Sequence, residues 1–109
     1  MINVYIYRKR DGITAFELSG HAESGPYGHD LVCAAVSAVS FGAVNAVTEL
    51  CHINLDIDQG EEGGYLRVTL PSNLERKTRE KAMLLLEGMV VSLETIERDY
   101  GEFIKIHYK

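Results

Sequence analysis

Short stretches of this chain alternate apolar and polar residues with a period of two, which is typical of half-buried β-strands. Two such runs, 2–7 and 13–18, flank Asp11-Gly12, a dipeptide that favours a tight hairpin because glycine accepts a positive φ. Three further alternating runs lie at residues 53–58, 65–70 and 103–108. The pattern therefore predicts five strands, the first two of them joined as a hairpin.

Two longer segments predict helices. The first follows a polar loop and runs to about Leu50, with Asp30 as its N-cap because a carboxylate accepts hydrogen bonds from the free N–H groups of a first turn. The second covers about 74–99, with apolar residues spaced mainly by three or four at Ala82, Leu85, Leu86, Met89, Leu93 and Ile96. The order β-β-α-β-β-α-β predicts an α+β two-layer sandwich, with two helices packed on one face of a mainly antiparallel sheet.

The size and charge of the chain narrow the class of protein. Its 109 residues, 46% of them hydrophobic, predict one domain over residues 1–109. The formal net charge of −5 argues against a general nucleic-acid binder, which needs a basic face to meet phosphates. We therefore expect no direct nucleic-acid partner, whereas a basic protein or peptide is compatible with the charge.

One apolar stretch, residues 31–47, carries no ionisable side chain except a thiol and reaches the lower length limit of a membrane span, about 17 residues. It also contains small and polar residues, including Ser40, Gly42 and Asn45. The composition favours a helix buried in a soluble fold, with Asn45 satisfied in the core. We predict no membrane association.

The two cysteines and the N-terminal segment of the chain point to a reducing compartment. Cys33 and Cys51 lie too far apart along one helix, roughly 27 Å at 1.5 Å per residue, to bond to each other. No basic segment followed by an apolar stretch stands at the N-terminus, so no signal peptide is expected. These features predict a cytoplasmic protein.

The candidate chemistry centres on His21 and Cys33, twelve positions apart and joined by a glycine-bearing loop. With Asp30 as the N-cap, Cys33 would lie at the third helical position, where peptide dipoles and free N–H groups favour a thiolate. His21 follows the end of a strand and could take the proton of the thiol. Each residue alone also has an ordinary interpretation, Cys33 as a small buried hydrophobe and His21 as a surface histidine.

Neighbouring residues leave alternatives open. His29 is a rival base, but it lies beside the predicted N-cap and should point toward solvent. The loop that contains Gly25, Tyr27 and Gly28 fits either a hinged lid or a plain connector. Ser37, one turn after Cys33, could hydrogen-bond near the site or back-bond to its own helix.

The sequence does not favour a metal site. Zinc sites have three or four ligands with recognisable spacing, and neither Cys-x-x-Cys nor His-x-x-x-His occurs. The adjacent residues Cys51 and His52 are best explained as ordinary residues at a helix end. We expect no metal and no other cofactor.

The motif G-H-A, five residues, then G-H-D-L-V-C-A-A-V-S, at residues 20–22 and 28–37, resembles the signature of the ribosomal-processing cysteine protease family (Prp). The likeness continues through Asn45, the segment 86–89 and the pair 99–100, and so covers essentially the whole chain. Leu31, where isoleucine is more usual, is a conservative departure.

The resemblance implies a small homodimeric α/β protein that removes a short N-terminal extension from a protein of the large ribosomal subunit, cleaving after an aromatic residue. By matching positions, Cys33 is the nucleophile and His21 the general base. Asp30 and Ser37 match motif positions near the site and imply supporting roles, Asp30 either orienting His21 or only capping the helix. The loop residues Gly25, Tyr27 and Gly28 imply a segment that moves when substrate binds.

The implied chemistry is acyl transfer, in which the free N–H groups at the helix start could hold the oxyanion. Two other functions remain open. A non-enzymatic ribosome-assembly or peptide-binding module would use the loop only to clamp a tail. A thiol redox sensor would use Cys33, although no resolving cysteine is evident nearby.

Overall fold

Five strands and two helices follow one another in the predicted order. The computed structural model describes residues 1–20, 29–61 and 64–109, with residues 29 and 30 described by their backbone alone. The elements are β1 (Ile2–Lys9), β2 (Gly12–Ser19), α1 (His29–Cys51), β3 (Asp56–Asp58), β4 (Tyr65–Thr69), α2 (Arg76–Tyr100) and β5 (Ile104–Tyr108). The predicted α+β fold, with its β-β-α-β-β-α-β order, is confirmed.

The strands form a single sheet in the order β3-β4-β2-β1-β5. The predicted hairpin joins β1 to β2, and β2 pairs antiparallel with β4 on its other side. Only the pairing of β5 with β1 is parallel, because the chain crosses the sheet through α2 before it returns beside β1. The sheet is therefore mainly antiparallel, with one parallel edge.

The core lies between one face of the sheet and the two helices. Val4 is paired with Leu18 and with Ile106, and Ile6 is paired with Phe16, so their side chains lie on the same face. Val4, Ile6 and Phe16 are completely buried. Burial of a side chain of this size contributes about 1.5–3 kcal/mol, so alternation along β1 and β2 is enough to orient the sheet.

The first helix, α1, has one buried face and one exposed face. Its buried stripe recurs every three or four residues at Val32, Val36, Ser40, Val44 and Val47. By length and composition alone, 31–51 could cross a membrane, but its buried stripe belongs to the core that β1, β2 and α2 also form. The expectation of a buried helix therefore holds for one face only. The placement of Asn45 in the core is wrong, because this residue is exposed.

The boundaries of α1 correct a second expectation. The helix begins at His29, so Asp30 is its second residue, and the prediction of Asp30 as the N-cap is wrong. The sequence pattern placed the start at the first apolar residue, whereas the helical backbone extends two residues further back. At the other end, His52 has a φ of 56°, a left-handed conformation that stops the helix after Cys51.

The strand predicted over residues 53–58 is also shorter than expected. Only Asp56–Asp58 pairs with β4, at the edge of the sheet. Ile53 is buried in the core without strand pairing, and Leu55 packs against the core. The alternating pattern at residues 53–58 therefore reflects burial of the connection that follows α1 as well as formation of β3.

Candidate active site

Cys33 lines a cavity of about 350 Å³ at the end of the sheet where β1 begins and β2 ends. The walls include the apolar side chains of Ile2, Leu18 and Val36, together with Tyr65 from β4. Cys33 is half-buried, so the thiol is neither enclosed in the core nor fully in solvent. The sequence placed this cysteine near a helix start, and the structure places it beside a cavity that could receive a side chain.

One face of α1 supplies three of the lining residues. Cys33, Ser37 and Phe41 are four residues apart along the helix and line the same cavity. Ser37 is exposed, and Phe41 is 38% exposed. The structure thus brings Ser37 to the cavity of Cys33.

Cys33 is the fifth residue of α1, not the third helical residue that the sequence predicted. In an α-helix the N–H of the fifth residue is bonded to the carbonyl of the first, so the backbone N–H of Cys33 is already used. The free N–H groups belong to the turn before it. Because Cα–Cβ bonds on a helix tilt toward its N-terminus, that of Cys33 tilts toward those groups.

Gly20 fixes the place where the chain leaves β2. Its φ is +99°, and a Cβ added to it would lie 2.3 Å from the carbonyl oxygen of Met1. Its N–H donates to the carbonyl of Gly64 at 3.0 Å. Gly20 itself lines the cavity of Cys33, so the chain leaves β2 beside that cavity.

Several predicted site residues fall outside the described residues. These are His21 and the loop residues Gly25, Tyr27 and Gly28, together with the side chain of Asp30. The described chain ends at Gly20 on one side of this segment and resumes at His29, one turn before Cys33. Both ends of the segment therefore lie close to the cavity.

The opposite wall comes from the β3–β4 region. The hydroxyl of Tyr65 donates to Oε2 of Glu17 at 2.6 Å, and this hydrogen bond raises the pKa of Tyr65 above its ordinary value. A guanidinium nitrogen of Arg67 lies 3.6 Å from the same carboxylate oxygen. Tyr65 is therefore held as a neutral hydrogen-bond donor near neutral pH.

Several lining residues were not predicted from the sequence. Phe41 could have been found, because its spacing from Cys33 and Ser37 places it on the same helix face. Tyr65 and Gln59 carried no such signal, because strand pairing brings them to α1 from a distant part of the chain.

The remaining candidates form no second centre. Both cysteines are free, and Cys51 lies at the far end of α1 beside His52. In residues 1–20, 29–61 and 64–109, no group of three or more His, Cys, Asp or Glu side chains could hold a metal ion.

A sequence model described as Cysteine protease Prp matches residues 1–105, nearly the whole chain. The chain belongs to this family. A relative from Bacillus subtilis (strain 168), named ribosomal processing cysteine protease Prp, is 51% identical over 107 residues, which cover 97% of this chain and 96% of the relative. Its namesake from Staphylococcus aureus (strain Mu50) is 41% identical over the full length of both chains.

Solved structures agree with this assignment. The Prp protease of Staphylococcus aureus in complex with a substrate peptide has a TM-score of 0.87 at 40% identity, over all of both chains. The same protease with a covalently linked product peptide has a TM-score of 0.84 at 41% identity, again over all of both chains. A Streptococcus mutans protein has a TM-score of 0.87 at 34% identity, over 99% of this chain and 93% of that one. The protein is thus a cysteine protease of the Prp family.

Proposed function

We propose that this protease removes the N-terminal extension of a large-subunit ribosomal protein, with Cys33 as the nucleophile and His21 as the general base. The observation that carries the proposal is the position of Cys33, half-buried in a cavity whose edge includes Gly20, the residue before His21. A ribosomal protein as substrate is supported by the names of the Bacillus subtilis and Staphylococcus aureus relatives.

The reaction is acyl transfer in two steps. His21 takes the proton of the Cys33 thiol, and the thiolate sulfur bonds to the scissile carbonyl carbon. The C–N bond then breaks, and protonated His21 gives its proton to the leaving amine. The amine that leaves is the shortened ribosomal protein. Water then hydrolyses the resulting thioester, which releases the N-terminal peptide as a carboxylic acid and restores the thiol. The Staphylococcus aureus complex with a covalently linked product peptide supports a covalent route.

The transition state of each step carries a negative oxygen, which needs hydrogen-bond donors. Free N–H groups at the start of α1 suit this role, because the helix dipole also favours negative charge there. Asp30 lies in that first turn, where it would orient His21 or stabilise the helix start. Ser37 lines the cavity one turn further on and would contact the bound peptide.

The cavity favours a large apolar side chain of the substrate next to the scissile bond. Ile2, Leu18 and Phe41 offer apolar surface within a volume of about 350 Å³, which accommodates an aromatic ring. The loop that contains Gly25, Tyr27 and Gly28 would close over this peptide and hold its scissile bond against Cys33. The acidic chain, with a net charge of −5, also suits a basic ribosomal substrate.

A homodimer is part of the proposal. Leu84 and Val91 are seven residues apart on α2 and so lie on one helix face, where they are 76% and 61% exposed. Exposed apolar residues that share one surface are typical of an interface. We expect Val91→Glu to yield a monomer in light scattering, because a charge buried at an interface is costly. Ile57→Glu on the edge strand β3 is the matched control and should remain dimeric. A monomeric wild-type protein would contradict this part of the proposal.

The two free cysteines support a reducing, cytoplasmic location. Fractionation of cells that express the tagged protein tests this. Recovery in the membrane or secreted fraction would contradict it.

The deciding experiment incubates the precursor ribosomal protein of the same cell with wild-type protein, Cys33→Ala and His21→Ala, and reads product masses. We expect wild-type protein alone to release a short N-terminal peptide. Acyl-enzyme should be trapped as a mass increase on wild-type protein at low pH, and be absent from Cys33→Ala. Cleavage by Cys33→Ala would remove this residue from the mechanism.

The same experiment distinguishes a protease from the main alternative, a non-enzymatic binding module. A peptide-binding module would bind the precursor without cleaving it, and Cys33→Ala would bind as well as wild-type protein. A thiol redox sensor would gain mass on Cys33 with peroxide and leave the precursor intact.

A further inference from the structure

A second, larger cavity of about 710 Å³ lies at the other end of the sheet, where β1 ends and β2 begins. Along β1 the nearest lining residues of the two cavities, Ile2 and Tyr7, are five residues apart, or about 17 Å at 3.3 Å per residue. The β1–β2 hairpin, the end of β4 and the start of α2 all contribute to its lining. It is therefore a separate concavity and shares no lining residue with the first.

Its lining is cationic. Six of the eleven Lys and Arg residues of the chain line it, namely Arg8, Lys9, Arg10, Arg67, Arg79 and Lys109. Asp11 is the one acidic residue among the lining residues. In a chain with a net charge of −5, the positive charge is thus concentrated at one end of the sheet.

Part of this charge is neutralised by neighbours. Arg8 donates two hydrogen bonds to Glu87, at 2.6 and 3.1 Å. Arg67 lies 3.6 Å from Glu17, and Arg79 lies 3.8 Å from Asp11. These pairs hold three guanidinium groups in place.

Lys9 and Arg10, both exposed at the hairpin tip, extend the same cationic lining beyond those pairs. The cavity lining therefore carries six cations and one carboxylate, Asp11, while Glu17, Glu87 and Glu94 act on Arg67 and Arg8 from outside the lining. A surplus of this kind attracts and orients an anion.

The first turns of α2 carry further cations. They contain Arg76, Lys77, Arg79 and Lys81, together with one carboxylate, Glu80, which lies 3.4 Å from Arg76. Glu75 at the N-cap places one negative charge at the helix start but makes no side-chain capping hydrogen bond. The start of α2 therefore carries a surplus of positive charge at the same end of the sheet as the cavity.

We propose that this cationic cavity binds the phosphate backbone of RNA, at a site separate from the protease centre. Arginine forks match phosphate oxygens in geometry, and lysine adds point charge. The Lys and Arg side chains are spread over two strands, a hairpin tip, a helix start and the residue after β5, which suits a chain of phosphates better than one small anion. The choice of RNA over another polyanion rests on the ribosomal substrate proposed above.

The proposal revises the expectation of no nucleic-acid partner. That expectation came from the net charge of the whole chain, whereas binding depends on how charge is distributed. Nine of the eleven Lys and Arg residues lie in the hairpin, around the cavity or in the first two turns of α2, while Arg98 and Lys105 lie elsewhere.

Fluorescence anisotropy with a labelled 20-nucleotide single-stranded RNA tests the proposal. We expect wild-type binding to weaken with salt, because each phosphate contact contributes about −0.7 to the slope of log affinity against log salt. The double variant Lys9→Ser/Arg10→Ser should bind at least tenfold more weakly, with a slope smaller in magnitude by about 1.4. Both residues are exposed at a turn, so the fold should be retained.

The matched control is Arg98→Ser/Lys105→Ser, which removes the same charge from two exposed positions away from the cavity. It should bind RNA within about twofold of wild-type protein. An equal loss in both double variants would overturn the proposal, because only net charge would then matter. Absence of RNA binding by wild-type protein would overturn it too.

A polyglutamate competitor of equal charge distinguishes RNA from an acidic peptide. Competition as effective as that of unlabelled RNA would overturn the assignment to RNA. Cleavage of a short precursor peptide is measured in parallel and should be unchanged in Lys9→Ser/Arg10→Ser. Lys9→Ser/Arg10→Ser should lose RNA binding and keep cleavage, whereas Cys33→Ala should lose cleavage and keep RNA binding. The two measurements therefore test the RNA site and the proposed protease function separately.

Discussion

The two ends of the sheet differ in the chemistry they offer. At the end where β1 begins, an apolar cavity of about 350 Å³ lies beside a thiol. At the end where β1 stops, a cavity of about 710 Å³ is lined by six cationic side chains. The core between them follows from the alternation of the strands and the spacing of three or four residues along the helices. The difference shows that chemical function is located where the chain leaves the strands, as is usual for loops on a rigid scaffold.

The two ends also differ in what holds them in place. Gly20, at the thiol end, contacts the backbone of Met1 and is hydrogen-bonded to the backbone of Gly64. At the cationic end, Gly12 lies against the flexible side chain of Met83, whose sulfur accepts a hydrogen bond from the N–H of Ile13 at 3.1 Å. A backbone carbonyl cannot move away from an added Cβ as a flexible methionine side chain can. Of the two glycines, Gly20 therefore has the more rigid surroundings.

The largest effect should come from the glycine pair that marks the two ends. Gly20→Ala places a Cβ 2.3 Å from a carbonyl oxygen at a φ of +99°, whereas Gly12→Ala places one 2.6 Å from Met83 Sδ at +111°. Each carries backbone strain of about 1–3 kcal/mol, and the backbone clash adds to it at Gly20. We expect Gly20→Ala to lower the free energy of unfolding by about 3 kcal/mol or more, and Gly12→Ala by clearly less. Urea unfolding measures both, and equal costs would contradict the difference in rigidity.

A smaller effect is expected for substrate binding at the thiol end. Phe41→Ala removes a partly exposed apolar wall of the Cys33 cavity and should raise KM about tenfold, with a smaller change in kcat. Met83→Ala removes a large apolar side chain at the cationic end and serves as the control, with KM unchanged. Steady-state cleavage of a precursor peptide gives both values. A rise in KM for both variants would mean that the two ends are not independent.

At the cationic end, the Arg8–Glu87 pair should contribute little to stability. The two side chains are 34% and 43% exposed, so solvent screening limits the pair to about 1 kcal/mol despite its two hydrogen bonds. A double-mutant cycle with Arg8→Met and Glu87→Gln measures the coupling free energy. A value well above 2 kcal/mol would show that Arg8 is fixed rather than available to an anion.

The smallest effect concerns Tyr108, at the same end of the molecule. Partial burial and the hydrogen bond that its hydroxyl donates to Glu94 raise its pKa to about 12, even though Arg8 lies over its ring. An unfolded tyrosine titrates near 10, so the associated stability is present below pH 10 and lost as the pH rises to about 12. Ultraviolet titration of the phenol should show this pKa, and Glu94→Gln should lower it. An unchanged pKa in Glu94→Gln would assign the shift to burial alone.

Sequence reasoning predicted most of the fold because strand and helix periods are local signals of burial. The five strands, both helices and their order were correct. The errors at Asp30, Asn45 and Ile53 share a cause. Burial and the helix start were predicted from residue type alone. They depend instead on which helix face and which segment meet the sheet.

What the sequence determined by itself is the set of elements, the family and the placement of Cys33 near the start of a helix, since these depend on neighbouring residues in the chain. Only the tertiary structure decided that Tyr65 and Gln59 stand beside Cys33, and that Arg67 and Arg79 join the hairpin at the cationic end. These neighbours are tens of residues apart along the chain. Strand pairing and helix packing bring them together, and no local pattern encodes that juxtaposition.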